Sequence, residues 1–194
     1  MRKMFVFAAM FMFIVLRSNG QLTQNNWLVG GNLSYKTSKS NGEDAVNSTS
    51  RVFTIAPDFG YFLIDKLAAG LRMDAIFDRQ KYPQPDGSSS SIVTNSVGLG
   101  PFVRYYFFSM EGRVNLLADG AFFYKTAHNK STGSDRSTYK AFDYSVLGGP
   151  VVFFNSSVAL ELLLGYSHTK AKDIDSKGSS FQLKIGFQFY LEPN

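Results

Sequence analysis

The sequence predicts an all-β protein, an eight-stranded antiparallel transmembrane β-barrel with short periplasmic turns and long extracellular loops. Three observations predict it. Eight separate segments alternate apolar and polar residues with a period of two. Every charge that falls in the middle of a segment lands on the polar face. The links between segments alternate between short and long. Successive strand side chains point to opposite faces, so each segment carries one apolar and one polar surface. Apolar-out, polar-in strands joined by alternating links are the pattern of a barrel set in lipid.

The chain opens with Met1-Arg2-Lys3, an apolar run from Met4 to Leu16, and Arg17-Ser18-Asn19-Gly20. A basic start, a short apolar stretch and small residues at the exit describe a secretory signal over residues 1–20, with cleavage expected before Gln21. The run falls short of the roughly 20 apolar residues that a membrane-crossing helix needs. Residues 21–194 are then one barrel domain.

The first segment, about Asn26 to Lys36, turns Trp27, Val29, Gly31, Leu33 and Tyr35 outward. The second, about Arg51 to Phe62, shows Phe53, Ile55, Pro57, Phe59 and Tyr61, with Asp58 inward. In the third, Leu67 to Asp78, Leu71, Met73 and Phe77 face out, while Arg72 and Asp74 face in. The fourth, about Ile92 to Phe107, has Val97, Leu99, Pro101, Val103 and Tyr105 outward and Arg104 inward. The fifth, Val114 to Lys125, places Val114, Leu116, Phe122 and Tyr124 outside and Asn115, Asp119 and Lys125 inside. The sixth, about Tyr139 to Phe153, turns Phe142, Tyr144, Val146, Pro150 and Val152 outward. The seventh, Val158 to Ser167, sends Val158, Leu160, Leu162, Leu164 and Tyr166 out and Glu161 in. The eighth, Phe181 to Leu191, is the clearest: Phe181, Leu183, Ile185, Phe187, Phe189 and Leu191 on one face, with Gln182, Lys184, Gly186, Gln188 and Tyr190 on the other.

Asp58, Arg72, Asp74, Arg104, Asp119, Glu161 and Lys184 thus fall on inner faces. An Arg or Lys facing lipid at mid-depth costs about 2–4 kcal/mol, so the sorting has an energetic reason. These seven form the candidate barrel-interior charge network. Charges removed from water need partners, and an eight-stranded barrel is narrow enough to be filled by side chains. A packed ion-pair interior is therefore expected, rather than an open pore.

Thr37–Ser50, Arg79–Ser91, Thr126–Thr138 and His168–Ser179 are long and polar, whereas Leu63–Lys66, Phe108–Arg113 and Asn155–Ser157 are short. Aromatic residues gather near the short links, as an interfacial girdle would require. Pro57, Pro101 and Pro150 lie inside paired segments and cannot donate to a ladder, so bulges or local breaks are expected there.

Other chemistry is thinly represented. The chain has no cysteine, which excludes disulfide scaffolds and thiolate sites. Without Arg2, Lys3 and Arg17 it keeps 17 basic against 15 acidic residues, a net charge of +2, and no basic block that would suit nucleic acid. Its histidines, His128 and His168, have no neighbours at metal-ligand spacing. Ser167 beside His168 is a poor nucleophile–base pair, because adjacent strand residues point to opposite faces. No enzymatic activity, cofactor or metal is expected. Four sequons, beginning at Asn32, Asn47, Asn129 and Asn155, matter only in a eukaryotic secretory route.

Trp27-Leu28-Val29-Gly30-Gly31, Pro57-Asp58-Phe59-Gly60-Tyr61-Phe62, Leu67-Ala68-Ala69-Gly70-Leu71, Gly98-Leu99-Gly100-Pro101-Phe102-Val103-Arg104-Tyr105-Tyr106-Phe107 and Leu162-Leu163-Leu164-Gly165-Tyr166 resemble the small outer-membrane β-barrel family of Bacteroidetes-type bacteria, OmpA/OmpX-like in form. So does the ending Ile185-Gly186-Phe187-Gln188-Phe189-Tyr190-Leu191. The resemblance covers the whole mature chain and implies fold and location, the bacterial outer membrane, with no catalytic residues. It implies outer-membrane lipid, lipopolysaccharide and the barrel-assembly machinery as partners. The expected role is structural or surface-interacting. A narrow channel for small or apolar solutes and a soluble exported β-sandwich or lipocalin-like binder are the alternatives.

The face assignment is testable at Glu161 and Leu162. Leu162→Arg should cost about 2–4 kcal/mol and impair assembly. Leu162→Phe should be mild, because lipid accommodates a new apolar shape more readily than a packed core does. Folded yield in lipid measures both, and equal damage from the two substitutions would contradict a lipid-facing Leu162.

Overall fold

In the computed structural model, residues 22–40, 48–83, 89–109, 112–131, 137–172 and 177–193 are described; the proposed signal, residues 1–20, lies outside them. Eight strands follow one another: β1 (Trp27–Ser40), β2 (Ser48–Ile64), β3 (Leu67–Pro83), β4 (Ser89–Tyr106), β5 (Val114–Ser131), β6 (Ser137–Phe153), β7 (Val158–Ala171) and β8 (Lys177–Leu191). Each pairs antiparallel with the next, and β8 returns to β1 to close the barrel.

The alternation sorts side chains as the strand period demands. Leu33, Phe59, Leu71, Leu99, Val146, Leu162 and Ile185 face outward and are exposed, whereas Asp58, Arg72, Arg104, Asp119 and Glu161 are buried inside. A soluble sandwich or lipocalin-like binder would reverse these faces. Along β4 and the residue that follows it the outward apolar stretch runs from Val97 to Phe107, and on β8 from Phe181 to Leu191. Both are eleven residues long, close to the 9–11 that a tilted strand needs to cross a bilayer core. Rings mark both borders. Trp27 stacks on Phe59 at 5.0 Å near one end, and Tyr166 meets Phe181 edge-on at 5.9 Å near the other. Val158 departs from its expected place: it is buried where β7 leaves its turn.

The long links are shorter than the composition suggests. β3 and β4 stay paired up to Pro83↔Ser89, and β5 and β6 up to Asn129↔Ser137. Main-chain ladders need no apolar side chains, so the hairpins continue above the apolar band where the hydrophobic signal stops. The opposite turns are tight. Asp65 and Lys66 join β2 to β3, with Lys66 in the left-handed region at φ 66°. Asn155 holds the β6–β7 turn by accepting from the N–H groups of Ser157 and Val158, both at 2.8 Å.

The three prolines make local breaks without a change of register. Ladder pairs are missing at Ala56-Pro57 towards β3, at Gly100-Pro101 towards β5 and at Gly149-Pro150 towards β7. The other side stays intact, through Gly31↔Pro57, Leu71↔Pro101 and Leu116↔Pro150. An antiparallel residue directs its N–H and C=O to one neighbour, so each proline forfeits bonds on one side only. Small residues precede the prolines because the neighbouring backbone approaches there. A Cβ on Gly100 would run into the Phe122 carbonyl, and one on Gly149 into that of Leu162.

The end of the barrel near the tight turns is filled. Phe62, Tyr106, Phe153 and Tyr190 are buried together, with the Tyr106 and Tyr190 hydroxyls 3.0 Å apart. The stretch before β1 closes over them: Leu22 is fully buried and its carbonyl accepts from Lys66 N–H at 2.7 Å.

Gly100→Ala should destabilise the barrel by about 1–3 kcal/mol, because the new methyl group meets a backbone that cannot give way. Gly178→Ala, where an added Cβ meets nothing within 4 Å, should stay within about 0.5 kcal/mol of the parent. Denaturant unfolding in lipid vesicles compares the two.

Candidate functional site: the charged interior

Two charged clusters occupy the interior above the aromatic layer. The lower one follows from register. Asp58 of β2 is the ladder partner of Arg72 of β3, and Arg104 of β4 is the partner of Asp119 of β5. Pairs directly opposite on one face sit within side-chain reach, so each arginine has a carboxylate beside it. The long guanidinium groups then join the pairs. Arg72 donates to both Asp119 oxygens at 2.8 Å and to Asp58 Oδ2 at 3.0 and 3.1 Å. Arg104 donates to Asp119 Oδ2 at 2.9 Å, to Glu161 Oε1 at 3.0 Å and to Asp58 Oδ2 at 3.4 Å. All five side chains are excluded from solvent. The Phe102 ring lies 4.6 Å from the Arg72 guanidinium carbon and 5.3 Å from that of Arg104, adding cation–π contact from below. With its amide turned to match its neighbours, Gln188 donates to Asp58 Oδ1 and accepts from Arg104 Nη1, both at 3.1 Å.

The upper cluster is wetter. Lys125 of β5 reaches Asp74 of β3 at 2.7 Å and Asp143 of β6 at 3.2 Å. Gly98 stands between Asp74 and Lys125 on β4, and a Cβ there would collide with both side chains. Thr169, the ladder partner of Asp143, donates to it at 2.7 Å. Lys184 is buried on β8, yet no carboxylate oxygen lies within 4 Å of its amine among the described residues. Above this layer lies a cavity of about 460 Å³.

Of the seven residues singled out from sequence, Asp58, Arg72, Arg104, Asp119 and Glu161 meet in one cluster, and Asp74 belongs to the other. Lys184 stands apart, because its position on β8 faces the unpaired side of the cavity. Asp143 was missed by sequence reasoning, and Lys125 and Gln188 were placed inside but not in the network. All three occupy inner positions that the two-residue alternation identifies. The histidines sit on the outer face: His128 Nδ1 is 2.8 Å from Thr138 Oγ1, and His168 Nδ1 is 2.9 Å from Ser179 Oγ. Ser167 turns the other way, 3.0 Å from Ser180 Oγ. Among the described residues no group of three or more potential ligands could hold a metal ion.

No protein-family model and no curated protein matches the chain. Solved structures do. Neisserial surface protein A aligns at a TM-score of 0.50 with 18% identity, over 84% of this chain and 96% of that one. The N-terminal β-barrel domain of Pseudomonas aeruginosa OprF follows at 0.44 with 11% identity, over 87% and 98%. E. coli outer membrane protein W gives 0.45 with 11% identity, over 86% and 98%. The first of these bears on architecture: the chain has the fold of a small outer-membrane β-barrel.

Arg104→Leu should cost about 3–5 kcal/mol, because Glu161 loses its hydrogen-bonded cation and Asp119 and Asp58 lose one of two. Adding Glu161→Gln should recover part of that loss, since one uncompensated charge disappears with it. Urea unfolding of the single and double variants in vesicles measures the coupling.

Proposed function

We propose that this chain is an integral protein of the bacterial outer membrane with a structural or surface-interaction role, and that its barrel conducts no solute from end to end. One observation carries this reading: the aromatic layer and the buried Arg72–Arg104 cluster lie one above the other across the interior. A permeant ion would have to part the Arg72–Asp119 and Arg104–Glu161 bonds and then displace the Tyr106–Tyr190 contact. Breaking a buried ion pair costs several kcal/mol, and the side chains of both layers are excluded from solvent. The competing reading, a narrow channel, requires a hydrated detour round them.

The exposed apolar band supports the membrane setting, and the predicted signal over residues 1–20 supplies export. Insertion would then fall to the barrel-assembly machinery, for which the aromatic last strand is a suitable signal. Charge supports the leaflet. Just above the apolar band, the outward positions hold Arg51, Arg79, Lys81, Lys130, Lys140, Lys170 and Lys177, all exposed. Among the described residues no Asp or Glu shares those outward strand positions. The rim at the tight turns mixes Asp65, Arg113 and Glu192. A one-sign collar at headgroup height suits the phosphates of outer-membrane lipid and lipopolysaccharide. No nucleic-acid partner and no catalytic chemistry belong to this reading.

Planar-bilayer recording tests the closed interior. The purified barrel should show no stable single-channel steps, and Arg104→Ala together with Tyr106→Ala should raise conductance by removing both obstructions. Large, steady steps from the unaltered protein would replace this reading with the channel.

A further inference from the structure

A barrel wall should be continuous, and here one seam is not. β1 and β8 pair only from Trp27↔Leu191 to Leu33↔Ile185, although β1 continues to Ser40 and β8 begins at Lys177. By contrast, β1 is paired with β2 to its last residue, and β8 is paired with β7 from its first. Above Leu33 and Ile185 no ladder joins the two strands. The outward residues beside this gap are Tyr35, Leu183 and Phe181, all exposed and all within the apolar band. Unpaired backbone at hydrocarbon depth is unfavourable unless the opening lines a cavity or is occupied.

The cavity of about 460 Å³ lies directly behind the seam. Its wall includes inner-face residues such as Lys184 and Ser145, and also Tyr35, Phe181 and Leu183, whose positions alternate outward. A space bounded by both faces of the same strands reaches the barrel's flank through the gap. Its floor is closed by Phe123 and the charged layers beneath. Three polar groups in it are unspent. The Lys184 amine has no carboxylate within 4 Å among the described residues, while Ser145 Oγ and Asp74 Oδ1 are buried without a partner. Asp74 and Asp143 share the single positive charge of Lys125, Lys184 brings these four groups to a net charge of zero, and neither carboxylate lies within 4 Å of the Lys184 amine that an arriving anion would meet.

We propose that this seam and cavity bind a single-chain amphiphile with a carboxylate head, admitted sideways from the surrounding lipid. The inference rests on the membrane placement proposed above. The carboxylate takes a charge-assisted bond from Lys184 and a hydroxyl bond from Ser145, replacing water that neither group retains easily when buried. The hydrocarbon chain lies in the gap against Tyr35, Leu183 and Phe181, covering the strand edges. The volume lies within the roughly 300–1,000 Å³ usual for small-molecule sites. Because the floor is closed, the amphiphile is held and is not passed through the barrel.

Native mass spectrometry of the mature protein released from dimyristoylphosphatidylcholine nanodiscs tests this with dodecanoate, dodecanol and dodecyltrimethylammonium. One dodecanoate should be retained, with the alcohol and the cation each bound at least tenfold more weakly. Lys184→Gln and Lys184→Met should each lose at least tenfold for dodecanoate, while Leu99→Phe, an exposed outward position on β4 across the barrel from the seam, leaves binding unchanged. The chain has no cysteine, so spin labels can be placed at will. Labels at Tyr35→Cys and Leu183→Cys should stand farther apart than labels at Val29→Cys and Phe189→Cys, a paired control. Equal label distances, equal binding of alcohol and carboxylate, or full binding by both Lys184 variants would overturn the site. A protein that stays folded and dispersed without lipid or detergent would instead overturn the membrane placement itself.

Discussion

Two arginines hold the arrangement to a single register. Arg72 and Arg104 stand on neighbouring strands, yet their guanidinium groups reach carboxylates on β2, β5 and β7. A slip of one residue between any of these strands would turn a charge into the apolar exterior and leave its partner buried alone. A slip of two would keep the faces but lengthen every bond in the cluster. Apolar exteriors specify only which face is out. The charged cluster specifies which residue lies opposite which, and closure of the barrel carries that choice round the wall.

Space for these long side chains comes from glycine. Gln188 lies over Gly30, Phe102 over Gly60 and Gly70, and Asp74 and Lys125 pass beside Gly98. Large and small inner residues therefore alternate across neighbouring strands, as a narrow barrel with a full interior requires. The same economy is absent at the seam, where the ladder stops and the inner face of β8 presents Lys184 to a cavity rather than to a carboxylate.

The architecture was legible because a period of two survives in every strand, and because charge is too costly outside to fall there by accident. Strand number, face assignment and the burial of all seven predicted charges follow from that rule. Pairing partners were harder to read, since they depend on register. Asp143 was overlooked because it sits beside Phe142 and Tyr144 in a stretch dominated by its outward rings. Lys184 is indistinguishable in sequence from a paired lysine, and only the termination of the β1–β8 ladder sets it apart. The hairpin extensions were invisible for another reason: above the apolar band Ser, Thr and Lys occupy both faces, so alternation continues in the backbone without a trace in hydropathy.

The proline breaks have a consequence for the chain before any barrel exists. Under the export proposed above, the chain would cross an aqueous compartment with its β-prone, aromatic-rich segments uncovered. Stretches such as Phe53–Leu63, Val97–Phe107 and Phe142–Phe154 are the kind that stack with copies of themselves into cross-β assemblies. A proline near the middle of each denies such a stack its uninterrupted ladder. In the finished barrel the same residue forfeits bonds on one side only, where its neighbour already lies close. The positions that look like defects in the wall thus discriminate against self-association of the unfolded chain at little cost to the folded protein.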